Sequence, residues 1–282
     1  MALRKIQLLF LFLFFSIQAI AQINPTDSTN IKNKISESSD ILMFSLSYTS
    51  NNVNTKNYEY DRIPALFTDI YYLNKSGITS SLNFTKYYNA KINTYEAEIQ
   101  LGYQKNIIKN LTLSTHYARR IFHGDSTYEG LAQKNTLALN AAYNWKFLDF
   151  QISNSYLNGK SDNYFLDLDL SLSIDFDNVF SKNDFLMFSP TMSLGFGTDY
   201  WVFQNLKPAY ERIVVNYLRR NNFKSYLFEY QSFNLFVPVI YNIGNVGFVL
   251  NWYYSWPSAK LTKLSWENQI GVLFSIYYTP KF

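Results

Sequence analysis

The 282-residue chain contains no cysteine, which excludes a disulfide framework and any thiolate metal centre. Histidine is nearly as scarce: His116 and His123 are the only two, and no glycine-rich phosphate loop accompanies them. Neither a metal nor a nucleotide cofactor has residues to hold it, so no cofactor is expected. Charge is also low, at 16% of residues against the roughly 25% of a soluble globular domain. The 25 basic and 21 acidic side chains nearly cancel, which argues against a nucleic-acid partner. After Ala21 no uninterrupted apolar run approaches the roughly 18 residues of a membrane-spanning helix, so any crossing must use strands.

Rings are what the chain has in abundance. Tyr (24), Phe (24) and Trp (5) make up 19% of it. A water-soluble fold would have to bury them all, whereas a membrane barrel needs them in girdles at the two lipid–water boundaries. Residues 1–21 read as a cleaved signal peptide: Arg4 and Lys5 precede the apolar run from Leu8 to Phe15, and Ala19 and Ala21 are the small residues of a cleavage site. That run is short of the ~20 residues a spanning anchor needs. No cysteine stands near the site to carry a lipid. Residues 22–39, rich in Asn, Ser, Thr, Lys and Asp, lack periodicity and read as a flexible periplasmic leader.

From residue 40 the apolar period is two. Tyr164, Leu166, Leu168, Leu170, Leu172, Ile174 and Phe176 share one face, opposite Phe165, Asp167, Asp169, Ser171, Ser173 and Asp175. A slip of one residue would turn the three carboxylates toward lipid, at a few kcal/mol each near mid-bilayer. The same alternation runs through 94–104 and 136–145, and in weaker form through 41–50, 63–73, 77–88, 111–122, 149–158, 185–197, 226–240, 246–256 and 263–278. Short connectors at 74–77, 105–110, 146–149, 177–184 and 241–245 alternate with longer ones at 51–62, 123–134 and 198–225. An all-β fold follows for 40–282: a single antiparallel transmembrane β-barrel of about twelve strands, with short periplasmic turns and longer extracellular loops. A soluble β-sandwich would also alternate, but it gives no reason for aromatic excess at strand ends.

The last strand pattern includes Gln269, Gly271, Phe274 and Ile276 and is followed by a terminal Phe282. It resembles the assembly signal of bacterial outer-membrane proteins, which the assembly machinery reads by pairing with the strand edge. Pro280 and Lys281 intervene before Phe282, a departure from the pattern. With its richness in Asn, Lys, Tyr, Phe and Ile, the chain resembles Gram-negative outer-membrane barrels of the Bacteroidota type. That resemblance implies an outer-membrane location, transient contact with the assembly machinery, and lipid and lipopolysaccharide as surroundings. It implies no activity, and no stable protein partner is indicated.

Chemistry is expected in the lumen. Glu96, Glu98, His116, Arg120, Asp167, Asp169, Glu229 and Glu267 all fall on inward positions and could form a charged constriction. The alternative is an internal salt-bridge network filling a narrow barrel. In 198–225, Pro208 opens a helical pattern, and Arg212, Asn216, Arg219 and Arg220 share its polar face, as in a plug, a lid or a rim helix. His123, Asp125 and Ser126 are too close in sequence to converge readily, so no enzyme is expected. The leading expectation is a narrow passive channel for small hydrophilic solutes. A structural or interaction barrel with a filled lumen comes next, and a lipid-acting hydrolase last. Two registers are open for the 94–104 and 111–122 hairpin, one pairing Glu98 with His116 and the other Glu96 with Arg120. Both put an acid beside a base inside, with Arg119 outside.

Overall fold

The alternation becomes a closed wall in the computed structural model, which describes residues 40–51, 64–88, 93–124, 134–159, 162–198, 216, 220, 226–262 and 268–280. The expected signal peptide and leader lie outside the described residues. The first seven strand segments are β1 Ile41–Thr49, β2 Ala65–Leu73, β3 Ile78–Tyr87, β4 Thr94–Ile108, β5 Leu111–His123, β6 Asn135–Trp145 and β7 Leu148–Asn158. Seven more follow: β8 Asp162–Leu172, β9 Ile174–Asp177, β10 Asp184–Phe188, β11 Thr191–Gly197, β12 Glu229–Ile243, β13 Val246–Pro257 and β14 Gln269–Tyr278. Pairing is antiparallel throughout, and β1 closes onto β14.

Fourteen segments make twelve barrel strands, because β8 with β9 and β10 with β11 are each one strand, interrupted at Ser173 and at Ser189-Pro190. Register is kept across the gap, with Phe188 opposite Ile174 and Thr191 opposite Ser171. Two prolines explain the interruption. Pro190 has no N–H to give, and neither has Pro238 on β12, so the ladder there keeps Ser189 N–H to Pro238 O at 3.1 Å without its reciprocal bond.

Five short turns, after β2, β4, β6, β9 and β12, share one end of the barrel with Asp40 and Thr279. Four of them are tighter than the sequence pattern suggested, with the turn after β6 reduced to Lys146-Phe147 and the one after β9 to 178–183. Strand β4 runs to Ile108, leaving Lys109-Asn110 as the turn, and β12 runs to Ile243, leaving Gly244-Asn245, where Gly244 at φ 60° takes the conformation a two-residue hairpin demands. At the other end, β14 starts at Gln269 rather than near 263, because the short helix α1, Ala259–Thr262, precedes it.

Period two sorts the side chains as membrane physics requires. On β8, Tyr164, Leu168 and Leu170 point outward and are exposed, while Asn163, Asp167 and Asp169 point inward. On β1, Phe44, Leu46 and Tyr48 face out, and Ser45, Ser47 and Thr49 are buried inside. Apolar residues also occupy part of the lumen. At the short-turn end Met43, Tyr71, Leu73, Met187, Ile240, Val249 and Tyr277 pack into one inner cluster, which floors the half of the barrel formed by β10, β12, β13, β14, β1 and β2. Each large side chain so buried contributes roughly 1.5–3 kcal/mol.

Two tyrosines fasten neighbouring strands on the inner face. Tyr253 of β13 lies over Gly271 of β14, its cross-strand partner, and its hydroxyl shares a 3.2 Å hydrogen bond with Thr49 Oγ1 on β1. In the opposite sense, Tyr277 of β14 lies over Gly247 of β13 and its hydroxyl donates to Asn242 Oδ1 on β12. Any Cβ at either glycine would collide with the ring, so a side chain there is excluded by the neighbour.

Candidate functional site

The inner wall divides into a packed half and a wetter half. On β1 to β3 nearly every inward residue is buried, including the polar chain in which Ser45 Oγ donates to Asp69 Oδ2 at 2.9 Å, Asn83 Nδ2 donates to Asp69 Oδ1, and Thr85 Oγ1 donates to Asn83 Oδ1 at 3.0 Å. On β5 to β8 the inward Ser114, His116, Asn140, Gln151, Ser153, Asp167 and Asp169 stay partly exposed. The inner wall on that side is therefore polar and partly exposed.

Between the halves stands a charge cluster. Glu98 faces Arg120 across β4 and β5, and the Arg120 Nε donates to Glu98 Oε2 while lying 4.0 Å from Glu96 Oε1. Tyr87 donates to Glu96 Oε2 at 3.2 Å. The two carboxylates are sealed, with side chains 6% and 4% exposed, while the Arg120 side chain keeps 27%. The expected acid–base contact is thus present, with Arg119 on the outer face donating to Asn135 Oδ1 at 3.1 Å. Its register is neither of the two expected: Glu98 meets Arg120 and His116 meets Gly102, because the turn is two residues long and a bulge lies between Asn106 and Ile108.

The acids of β8 sit apart from this cluster. Asp167 lies between Ser153 and Gly195, and Asp169 between Gln151 and Ser193. A Cβ at Gly195 would come 3.2 Å from Asp167 Oδ1 and 2.9 Å from Ser232 Oγ, so the glycine leaves the carboxylate its room. Further toward the short turns, Asp149 accepts from Asn144 Nδ2 and from Ser173 Oγ at 2.9 Å, and Asp175 continues the row on β9. Inward positions of β6 to β9 hold no lysine or arginine. The expected charges therefore spread over the wall by depth and strand rather than closing into one ring.

At the loop end, Glu229 pairs with Lys260 of α1 at 2.5 Å. Glu267, Arg212 and Arg219 lie outside the described residues, and Asn216 and Arg220 are helical and exposed. Of the assembly-signal positions, Gln269, Gly271, Phe274 and Ile276 are on β14, with Gly271 under Tyr253 and Phe274 and Ile276 exposed outward; Phe282 lies outside the described residues. His123 is on the outer face, its ring 4.9 Å from that of Tyr95, turned away from the lumen, and Asp125 and Ser126 lie outside the described residues. Asp69 and Asp149 were not among the expected lumen charges. Asp69 shares its inner face with Phe67, Tyr71 and Leu73, so β2 reads apolar on both sides, and Asp149 looked like part of a turn.

No family model matches the chain, and no curated protein matches it. Solved structures similar in shape include the KdgM porin (TM-score 0.48, 9% identity, covering 86% of this chain and 99% of that one). LpxR from Salmonella typhimurium is similar at TM-score 0.47 and 9% identity, covering 84% of this chain and 99% of that one. The NanC porin is similar at TM-score 0.44 and 10% identity, covering 86% and 100%. No residue of this chain takes a role from them. The architecture itself, a closed barrel with an apolar outer face, is that of an outer-membrane β-barrel.

Proposed function

We propose that the protein is a narrow passive outer-membrane channel for small hydrophilic solutes, and that it favours cations. The observation that carries this reading is the partly exposed inner wall of β7 to β9, where Asp149, Asp167, Asp169 and Asp175 face the lumen and inward positions hold no basic residue. A row of one sign along a water-filled path attracts counter-ions and repels co-ions, the more so where low-dielectric walls focus the field. Amide and hydroxyl side chains such as Gln151, Ser153 and Ser155 replace part of a solute's hydration along the same path. The chain would reach its place through the assembly machinery, with β14 as the strand read during insertion.

Reconstitution in planar bilayers tests this. Discrete conductance is expected, with a reversal potential of cation-selective sign under a salt gradient, and Asp167→Asn with Asp169→Asn should move that potential toward zero. A silent bilayer would sink the channel; anion selectivity would sink the charge preference alone. The apolar cluster that floors half the lumen favours a second reading, a barrel whose filled interior serves a structural role in an envelope complex. That reading requires stable co-purification of another envelope protein and fails if the protein migrates alone after crosslinking.

A further inference from the structure

Three neighbouring turns at the short-turn end differ from the other two. Between β4 and β5 the tip carries Ile108-Lys109, between β6 and β7 Lys146-Phe147, and between β9 and β10 Phe180 followed by Lys182. All three lysines are exposed, and so are the apolar partners: Ile108 at 60%, Phe147 at 56% and Phe180 at 76%. These hairpins are adjacent in the barrel wall, so the tips form one arc of the rim. The remaining turns, Asn74-Lys75-Ser76-Gly77, tied to Asp40, and Gly244-Asn245, carry one lysine between them and no aromatic ring, and their exposed apolar neighbours, Ile78 at 54% and Ile243 at 43%, are less exposed than Ile108, Phe147 and Phe180.

Exposed rings and aliphatic chains on a turn tip are unfavourable in water but suit the headgroup layer, and a lysine beside each keeps its ammonium where phosphate is dense. One tip shows that the lysine is held against a backbone preference. Lys146 has φ 58° at the first position of a two-residue turn, where glycine is the usual occupant, and its Nζ lies 5.7 Å from the Trp145 ring centroid. We propose that this arc is a lipid-binding rim: its apolar side chains insert into the interface of the leaflet at the short-turn end, and Lys109, Lys146 and Lys182 bind anionic phospholipid headgroups there. Charge complementarity selects the occupant, because the tips present cations beside apolar surface and only an anionic amphiphile satisfies both. The proposal is independent of whether the lumen conducts.

Because the chain has no cysteine, Ser181→Cys gives a unique site for a fluorophore at the most exposed tip, and Ser76→Cys a matched site on a polar turn. The full chain is reconstituted in phosphatidylcholine vesicles containing headgroup-spin-labelled phosphatidylglycerol or the spin-labelled phosphatidylcholine equivalent. Quenching at position 181 should be several-fold stronger with phosphatidylglycerol at low salt and should exceed that at position 76. Replacing Lys109, Lys146 and Lys182 by Gln should cut the ratio, by at most about fivefold per lysine, and leave phosphatidylcholine quenching unchanged. Native mobility on unheated gels confirms that each variant is folded. Equal quenching by the two lipids, a ratio unmoved by the lysine substitutions, or no quenching at position 181, as when the tips project into water or meet a protein, would overturn the proposal.

Discussion

Glu96 and Glu98 are both sealed from water, and Arg120 is the cation that reaches them from β5. Arg120→Met should therefore destabilise the barrel by roughly 3 kcal/mol, the order expected when one member of a buried ionic cluster is removed. Urea titration of unfolding in lipid vesicles measures it, and adding Glu98→Gln should recover part of the loss; no recovery would mean that the guanidinium stem, not its charge, matters. Asp40 is a second residue whose partners fix its behaviour. The Tyr72 hydroxyl at 2.5 Å and then the Lys75 amide at 3.0 Å hold its carboxyl below the ordinary aspartate range. A carboxyl lowered by folding contributes stability at pH above its unfolded value and loses that contribution as pH falls through its folded value. Protection of the Lys75 amide against hydrogen exchange should thus be constant at neutral pH and decline only in acid below the ordinary aspartate value. Asp40→Ala should show reduced protection already at pH 7, and identical exchange in the two proteins would refute the contact.

The seam between β14 and β1 joins the two ends of the described barrel, and Tyr253 crosses it on the inside. Gly271→Val would push the ring off its strand and break the reach to Thr49 at once, whereas Tyr253→Phe keeps the ring and removes the hydrogen bond to Thr49, worth roughly 1 kcal/mol. The valine variant should fold slowly or lose its compact form on unheated gels, while the phenylalanine variant should fold normally and unfold at slightly lower urea. Coupling between Tyr253→Phe and Thr49→Val near zero would show that the two hydroxyls act separately. The Gly247 and Tyr277 pair offers the same comparison on the β12 side, with Asn242 as the far partner.

Across the whole molecule, the inner apolar cluster decides how much of the lumen is left to water. Met187→Ala with Ile240→Ala should widen the short-turn end and raise unit conductance, at a stability cost of about 2–5 kcal/mol for each truncated side chain if the wall does not collapse. If conductance is unchanged although the protein is folded, the path runs wholly along the β5 to β8 wall and the cluster is a filler, not a constriction. The floor and the acidic wall adjoin, Met187 of the cluster standing opposite Asp175 across β10 and β9, but the substitutions differ in kind: cluster substitutions alter size, and the Asp167 and Asp169 substitutions alter sign preference.

Strand number, inward and outward faces and the gathering of the short turns at one end of the barrel were readable from residues alone. A period of two leaves only two faces, and the row of Asp167, Asp169 and Asp175 opposite Leu166, Leu168 and Leu170 allows only one of them to meet lipid. Turn lengths and register escaped, because a bulge after Asn106 and a two-residue turn at Lys109-Asn110 shift partners without disturbing the alternation. Strand register revealed that Gly271 lies beneath Tyr253 and that Asp69 is buried among polar partners, and only closure brought Met43 and Met187 into one inner cluster. That last relation joins residues far apart in the chain, and local pattern carries no information on which distant strand will lie across a lumen.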